Sequence, residues 1–463
     1  MSTLPSGPED FRSVLASVQQ DGQRKWVGAR ILWGRWRAWR MALAVPLTAF
    51  YCAIPFVSVG GKPALQFDLA ARKFYVAGVA FWPQDLSYFV ILVLLGIVGT
   101  LLTVALLGRV FCGWFCPHNV FLEMVFRPVE HLVLGGPGSP QKTPFWRAAL
   151  MWLVFAVIAG GLANAGTAIF VGADAFRHHL ILDWAGHPYA AVCWVVFFGI
   201  ILFNFGWFRE QTCTIVCPYG RFQTAMLDPH TLTVAYDARR GEPRGHLQHA
   251  PAPDEPKLGD CVDCGMCVRV CPTAIDIRNG NQLECIHCAA CVDACDMVMG
   301  KLGRPKGLVR YAAEVQLAGQ KRAIVRPRTI LYTVVCCVLV ALLVWRLQGR
   351  SEVLVAPLRQ TAIPVREADP DGRDCVRAAL PLSLVSRSDT ALRARIVLGD
   401  AVQAKIILPQ PVVELPPGQR VLATPIVYIP RTMFSGRHLD VDVRILAEDG
   451  RLLGSTEVGI RTP

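Results

Sequence analysis

Charged residues are scarce in this sequence. Asp, Glu, Lys and Arg make up 18% of its 463 residues, against about 25% in ordinary soluble domains. That deficit, with 53% of positions hydrophobic, excludes a surface wetted on every side. Polar stripes are lacking as well. A soluble amphipathic helix of some twenty residues shows one, but the run Leu86 to Leu107 offers nothing beyond Ser87, Thr100 and Thr103. A cleavable leader is not expected, because Met1 to Gln23 is polar and the first apolar run begins only after Arg35, Arg37 and Arg40. No solenoid period is present. The spread-out cysteine pattern of a disulfide framework is missing too: eight of the 17 cysteines crowd between residues 261 and 295 at gaps of two and three, which points to metal ligation. The formal charge of +12 does not indicate nucleic acid, since much of the basic excess flanks apolar runs, as the positive-inside rule expects.

What is present begins with five apolar runs, Met41 to Val57, Leu86 to Leu107, Ala148 to Val171, Tyr189 to Phe208 and Thr329 to Trp345. Each approaches or exceeds the length needed to cross a hydrocarbon layer. Arg24, Lys25, Arg30, Arg35, Arg37 and Arg40 precede the first run, while Ala173 to Pro188 carries only Arg177, so the N-terminus is placed in the cytoplasm. The expected organisation is a multidomain membrane protein. Residues 1–37 form a cytoplasmic N-terminal segment and 38–208 the first four transmembrane helices. Residues 209–328 form a cytoplasmic segment with a two-cluster ferredoxin domain at about 255–300. Residues 329–346 are the fifth helix, completing an α-helical bundle of about five spans, and 347–463 a periplasmic domain. Leu392 to Leu398, Val402 to Leu408, Arg420 to Tyr428 and Leu439 to Leu446 are short, rich in Val and Ile and separated by Pro and Gly. They predict an immunoglobulin-like β-sandwich.

The cysteines carry the chemistry. Cys261-x2-Cys264-x2-Cys267-x3-Cys271-Pro272 is the run of a bacterial-type ferredoxin, and Cys285-x2-Cys288-x2-Cys291-x3-Cys295 repeats it. In such runs three thiolates wrap one cubane and the fourth reaches across to the other. Cys261, Cys264, Cys267 and Cys295 are therefore assigned to one 4Fe-4S cluster, and Cys285, Cys288, Cys291 and Cys271 to a second. Zinc sites would want their ligands in two separated pairs. Asp296 stands where proline usually follows the last cysteine and leaves ligation intact. Val262, Val268, Val270, Ile275, Ile277, Ile286 and Val292 are expected to cover the clusters. A further pair of motifs, Cys112-x3-Cys116-Pro117 and Cys213-x3-Cys217-Pro218, follows the second and fourth runs. Four thiols at one depth can form another metal site, a thiol–disulfide pair, or a landing place for a soft ion such as Cu(I).

Other residues carry weaker signals. Cys52, Cys193, Cys336 and Cys337 lie inside apolar runs, where cysteine packs as a small hydrophobe, and Cys375 is alone in the C-terminal part. His178, His179 and His187 are candidates for copper or haem in an outer loop. Met297 and Met299 are expected to pack against the cluster domain. Lys301, Arg304, Lys306 and Arg310 read as a solvated or lipid-facing surface.

These residues resemble the FixG, RdxA or CcoG group of cytochrome oxidase accessory proteins. The likeness rests on Gly108-Arg109-Val110-Phe111-Cys112-Gly113, Arg209-Glu210-Gln211-Thr212-Cys213 and Cys217-Pro218-Tyr219-Gly220-Arg221-Phe222-Gln223. It continues through Tyr236-Asp237, Arg240-Gly241-Glu242-Pro243-Arg244-Gly245, Gly259-Asp260-Cys261 and Ile275-Asp276-Ile277-Arg278-Asn279-Gly280. It implies a bacterial inner-membrane oxidoreductase with two 4Fe-4S clusters that reduces Cu(II) to Cu(I) for haem–copper oxidase assembly. Cys112, Cys116, Cys213 and Cys217 would act on copper as substrate. The implied partners are the lipid bilayer, copper, oxidase subunits or assembly factors and an unidentified electron donor, with no nucleic acid. His118 stands where the family tends to have glutamine and offers a further ligand beside Cys116. Two other readings share the clusters: a quinol-linked conduit to a periplasmic reductase, and a redox-sensing assembly scaffold.

Overall fold

The computed structural model describes residues 26–461, apart from 69–72, 83–84, 138–142, 174–175, 177–187, 247–257, 350, 359–363, 369–371, 389, 400–404, 408–411 and 435–437. His178, His179 and His187 lie outside the described residues, as does most of the expected N-terminal segment.

Among the described residues five helices are long and apolar enough to cross a membrane: Arg35–Phe56, Leu86–Leu107, Phe145–Val171, Pro188–Phe208 and Pro327–Gln348. Their apolar side chains face outward, with Leu92, Val93, Val157, Val192, Ile200 and Val338 all exposed, which is stable only where lipid replaces water. The second helix matches its expected bounds. The first begins six residues earlier than the hydropathy pattern predicts, taking in Arg35, Arg37 and Arg40. Arg37 and Arg40 are buried, so they belong to a packed interface and not to a solvated flank. Pro46 sits inside this helix without ending it. Its first backbone N–H groups find a partner outside the helix: Trp36 and Arg37 donate to the Asp293 carboxylate at 3.0 and 2.8 Å, satisfying orphan donors and placing an anion at a helix N-terminus.

The helix bearing Asp293, Ala290–Lys301, belongs to the cysteine-rich segment. There Thr233–Tyr236 pairs antiparallel with Val309–Ala312. Val234, Ile275, Ile277, Val292, Met299 and Leu308 form one apolar core with the cysteines. Both cysteine runs turn the same way. Asp263 and His287, each just before the second cysteine of its run, have φ of 50° and 51°, and Gly265 and Ala289, each just after it, have φ of 63° and 59°. Left-handed backbone at non-glycine positions costs about 1 kcal/mol each. It is retained here because it points successive thiols to one side.

The C-terminal region is β-rich and antiparallel. Its sheets run Lys405–Ile407, Ile426–Pro430, Asp374–Ala379, Val365–Ala368; then Arg420–Ala423, Leu382–Ser386, Val353–Pro357; and Val413–Leu415, Leu392–Leu398, His438–Ala447, Leu452–Arg461. All three share one core that includes Leu382, Leu384, Leu415, Ile429, Val443 and Ile460. The expected strand Arg420 to Tyr428 is two strands in different sheets, broken at Thr424 and Pro425, because proline cannot continue a ladder. Cys375 is buried in this region and serves packing. The stretch Ala80–Phe89 is part of the same compact unit, with the fully buried Asp85 carboxylate paired to Arg387.

Candidate functional site

The repeated left-handed turns produce two cavities. One, of about 370 Å³, is lined by Cys261, Cys264, Cys267 and Cys295 among apolar residues such as Val262, Met299 and Leu308. The other, of about 340 Å³, is lined by Cys271, Cys285, Cys288, Cys291 and also Cys267, together with Ile275, Ile277 and Ile286. Each cavity collects three thiols from one run and reaches into the other run, for Cys295 in the first and for Cys271 in the second, and Cys267 is shared by both. Burial pushes the Cys267 and Cys285 thiols up to about 12 and Cys271 and Cys295 up to about 11. Bare thiolates are therefore disfavoured there, and a cationic group is required to hold them ionised. Among the described residues no group of three or more His, Cys, Asp or Glu side chains converges as for a single metal ion. Thiols spread around an apolar cavity suit a cubane better than one zinc ion. Of the expected apolar cover, Val262, Val270, Ile275, Ile277, Ile286 and Val292 are buried and Val268 is half-buried. Asp296 accepts the Gly307 N–H at 2.8 Å, holding the return loop without touching either cavity.

The two Cys-x3-Cys-Pro motifs are built alike. Cys112 N–H donates to the Arg109 carbonyl and Cys213 N–H to that of Glu210, each three residues back at 3.0 Å. Cys116 and Cys217 then close wide turns onto Phe111 and Thr212, five residues back at 2.9 and 2.8 Å. Pro117 and Pro218 start the helices that follow, as suits a residue without an N–H. Wide π-type turns occur at Phe203–Phe208, before the second motif, and at Thr212–Val216, within it; such turns gather at functional sites. The four thiols lie near enough for each to feel its neighbours' charge, but among the described residues they do not converge at metal-ligating distance. Cys213 is pushed up to about 12, first by burial and then by Cys116, Cys112 and Cys217. Cys112 is also raised by burial, with Arg109 opposing. Asn119 bridges the motifs, its amide donating to the Cys112 carbonyl at 2.6 Å and lying 3.7 Å from Cys213 Sγ. The Cys112 thiol donates to Gln223 Oε1 at 3.1 Å. All four cysteines are free.

Backbone contact joins this thiol group to the second cavity. A Cβ on Gly113 would lie 2.5 Å from the Ile286 carbonyl and 3.0 Å from the Cys288 nitrogen, so only glycine permits the approach. Cys112, Ile286 and Cys288 form one apolar contact cluster. His287, between the second run's first two cysteines, accepts the Arg109 N–H at 3.0 Å. Burial and Arg109 lower its pKa to about 3, leaving the ring neutral. Tyr311 links the same parts, receiving Trp114 Nε1–H at 3.1 Å and donating to the His287 carbonyl. Gly113→Val is expected to cost about 1–3 kcal/mol through overpacking against unyielding backbone. Thermal unfolding in detergent reads this; an unchanged midpoint would mean that the two parts do not abut.

Behind the thiols lies an ionic hub that sequence reading missed. Arg127 pairs with Glu123 at 3.0 Å and Glu210 at 3.4 Å, and Arg209 grips Glu130 at 2.8 Å, all five side chains under 8% exposed. The available signal was charge at the edge of apolar runs, where an unpaired ion is costly. His118 is not free to ligate as the sequence suggested. Its Nε2 contacts the Arg209 carbonyl at 3.0 Å and its Nδ1 the Asn204 amide at 3.2 Å, so both ring nitrogens are committed and the ring stacks on Phe205. Arg304 and Arg310 are not simply surface: the first donates to the Asp260 carbonyl at 2.7 Å and the second to Asp237 at 2.9 Å. Met299 is buried in the cluster core, as expected.

Known proteins share these features. A 4Fe-4S dicluster domain family matches residues 208–314, and a 4Fe-4S binding domain family matches 89–135, the segment holding Cys112 and Cys116. The chain is 34% identical to protein RdxA of Cereibacter sphaeroides, over 72% of this chain and 73% of that one. It is 38% identical to the nitrogen fixation protein FixG of Rhizobium meliloti, over 60% of this chain and 55% of that one. Among solved structures, a FixG-related protein from Vibrio parahaemolyticus aligns with 24% of this chain and 98% of its own at 6% identity, with a TM-score of 0.19.

Proposed function

This chain belongs to the RdxA and FixG family of iron–sulfur electron-transfer proteins of the membrane, and on that premise we propose that it delivers electrons to Cu(II) and releases Cu(I) for assembly of haem–copper cytochrome oxidase. Cys261, Cys264, Cys267 and Cys295 hold one 4Fe-4S cluster, and Cys271, Cys285, Cys288 and Cys291 hold the other. When bound, the clusters supply storage of single electrons. The chain's own residues do the rest. The apolar cores limit water's access to the two cavities, although Cys264 stays exposed, Gly113 holds the second cavity against Cys112, and Cys112, Cys116, Cys213 and Cys217 offer copper a soft site.

One observation carries this reading: thiols of two separate motifs act on one another, and one of them, Cys112, packs against Ile286 and Cys288. Thiolates select Cu(I) over harder ions. Cys116, Cys213 and Cys217 are half-buried and not sealed, as a substrate that comes and goes requires. The basic residues before the first span favour a bacterial inner-membrane orientation with N-terminus and clusters cytoplasmic. The C-terminal strands would then form an immunoglobulin-like periplasmic domain that meets oxidase subunits or assembly factors. The electron donor enters on the cytoplasmic side.

The test uses anaerobically purified full-length protein, reduced chemically, freed of excess reductant and mixed with Cu(II). Cluster absorbance should return to its oxidised level as an equivalent amount of Cu(I) appears in a Cu(I)-specific chelator. Reduced clusters that persist in the presence of Cu(II) would sink the proposal. The match of residues 89–135 to a 4Fe-4S binding domain favours one other reading, in which the four thiols hold a third cluster. An iron count separates the two, since that reading demands half as much iron again.

A further inference from the structure

A cavity of about 410 Å³ lies where the start of the first span meets the cluster domain. It is bounded by Arg37, Arg40, Glu123, Arg127, Cys288 and Ala290. Arg37 is 9% exposed and Arg40 4%. Among the described residues neither has an acidic ion-pair partner. Arg37 Nε is buried with no hydrogen bond, its guanidinium lying 5.5 Å from the Trp33 ring. Arg40 Nε donates to the Gly113 carbonyl at 3.0 Å. Two like charges three residues apart on one helix face repel, and a buried cation without a counter-charge costs several kcal/mol. Among the described residues Glu123 is the one acid on the cavity wall, which Arg30 also lines; it acts on Arg37 but is held by Arg127 at 3.0 Å. Asp293 is engaged with the backbone N–H groups of Trp36 and Arg37. Cys288 lines both this wall and the second cluster cavity.

The first cavity is set differently. Arg278 on its wall is gripped by Asp276 at 2.7 Å and also paired with Asp263, so the two acids outnumber it there. Arg269, which donates to the Cys264 carbonyl at 2.7 Å, is exposed to solvent screening. Reduction adds one negative charge to an iron–sulfur cluster, and surrounding positive charge favours that state.

We propose that Arg37 and Arg40 are the built-in counter-charges of the cluster at Cys271, Cys285, Cys288 and Cys291, and that they hold its reduction potential above that of the cluster at Cys261, Cys264, Cys267 and Cys295. This rests on the cluster assignment above and adds a direction to it. An electron shared between the two sites leaves the first cluster oxidised and rests on the second, the one abutting Cys112. Arg40 serves both ends, facing the Cys288 cavity and binding the peptide beside Cys112. Both arginines are positioning residues, since neither is a ligand.

The experiment is a redox titration of the full-length protein followed by electron paramagnetic resonance, with iron counted in every sample. The wild type should show two potentials. Arg37→Gln and Arg40→Gln should each lower the higher one and leave the lower in place, while Arg278→Gln should lower only the lower one. Arg37→Lys, which keeps the charge, should restore most of the Arg37→Gln shift. Glu123→Gln, removing the opposing charge from the same wall, should raise the higher potential, and it decides the matter should the arginine variants lose iron. Unmoved potentials in iron-replete variants, or shifts confined to the lower one, overturn the proposal. A wild type containing only one cluster's iron overturns the two-cluster assignment instead.

Discussion

Serine at Cys112, Cys116, Cys213 and Cys217 together is expected to cut Cu(II) reduction by at least about 100-fold while leaving iron content and the visible absorbance of both clusters intact. Loss of even supporting groups around a metal commonly costs 10–100-fold, roughly, and here the donors themselves change from soft sulfur to hard oxygen. The clusters survive because neither cluster cavity includes any of the four. Serine is nearly isosteric with cysteine, so the Asn119 bridge to the Cys112 carbonyl and the wide turns at Cys116 and Cys217 persist. Stopped-flow measurement of cluster reoxidation by Cu(II) gives the rate. Equal rates in wild type and quadruple variant would mean that copper is reduced directly at a cluster edge, and the thiols would then be structural.

Arg127→Met should destabilise the junction of membrane helices and cluster domain by about 3–5 kcal/mol, the usual cost of breaking a buried pair from one side. Arg127 is 1% exposed. Burial alone would lower its pKa, but Glu123, Glu210 and Glu130 overcome this and raise it. Its removal strands Glu123 and weakens the hold on Glu210. It also frees the Pro272 carbonyl, bound at 3.0 Å, beside Cys271. Thermal unfolding with cluster loss as the signal should show an earlier transition, and adding Glu123→Gln should recover part of it, because residues in one network are coupled. A single variant as stable as the wild type would show that water reaches the hub.

Much of this architecture was readable beforehand, for physical reasons. Spans announce themselves because a hydrocarbon layer demands some twenty apolar residues in a row, and Leu86–Leu107 was located to the residue. The cysteine runs were readable because a cubane sets the gap between successive thiolates, and the crossing of Cys271 and Cys295 follows from that local spacing. The Arg420 to Tyr428 stretch was misjudged because alternation looks the same on either side of a break between sheets. His118 was misjudged because a histidine's freedom to ligate depends on what its two nitrogens meet. Asn204 and Arg209 lie 86 and 91 residues away along the chain.

By itself the sequence determined a membrane-embedded iron–sulfur protein with eight cysteines in two repeated runs, because those properties depend on composition and near-neighbour spacing. The tertiary structure decided that thiols of two motifs a hundred residues apart act on one another, that Gly113 sits against the Ile286 and Cys288 backbone, and that Arg37 and Arg40 of the first span are buried instead of turned outward to solvent. Such pairings depend on how helices pack, and packing contacts between distant segments leave no periodic trace along the chain.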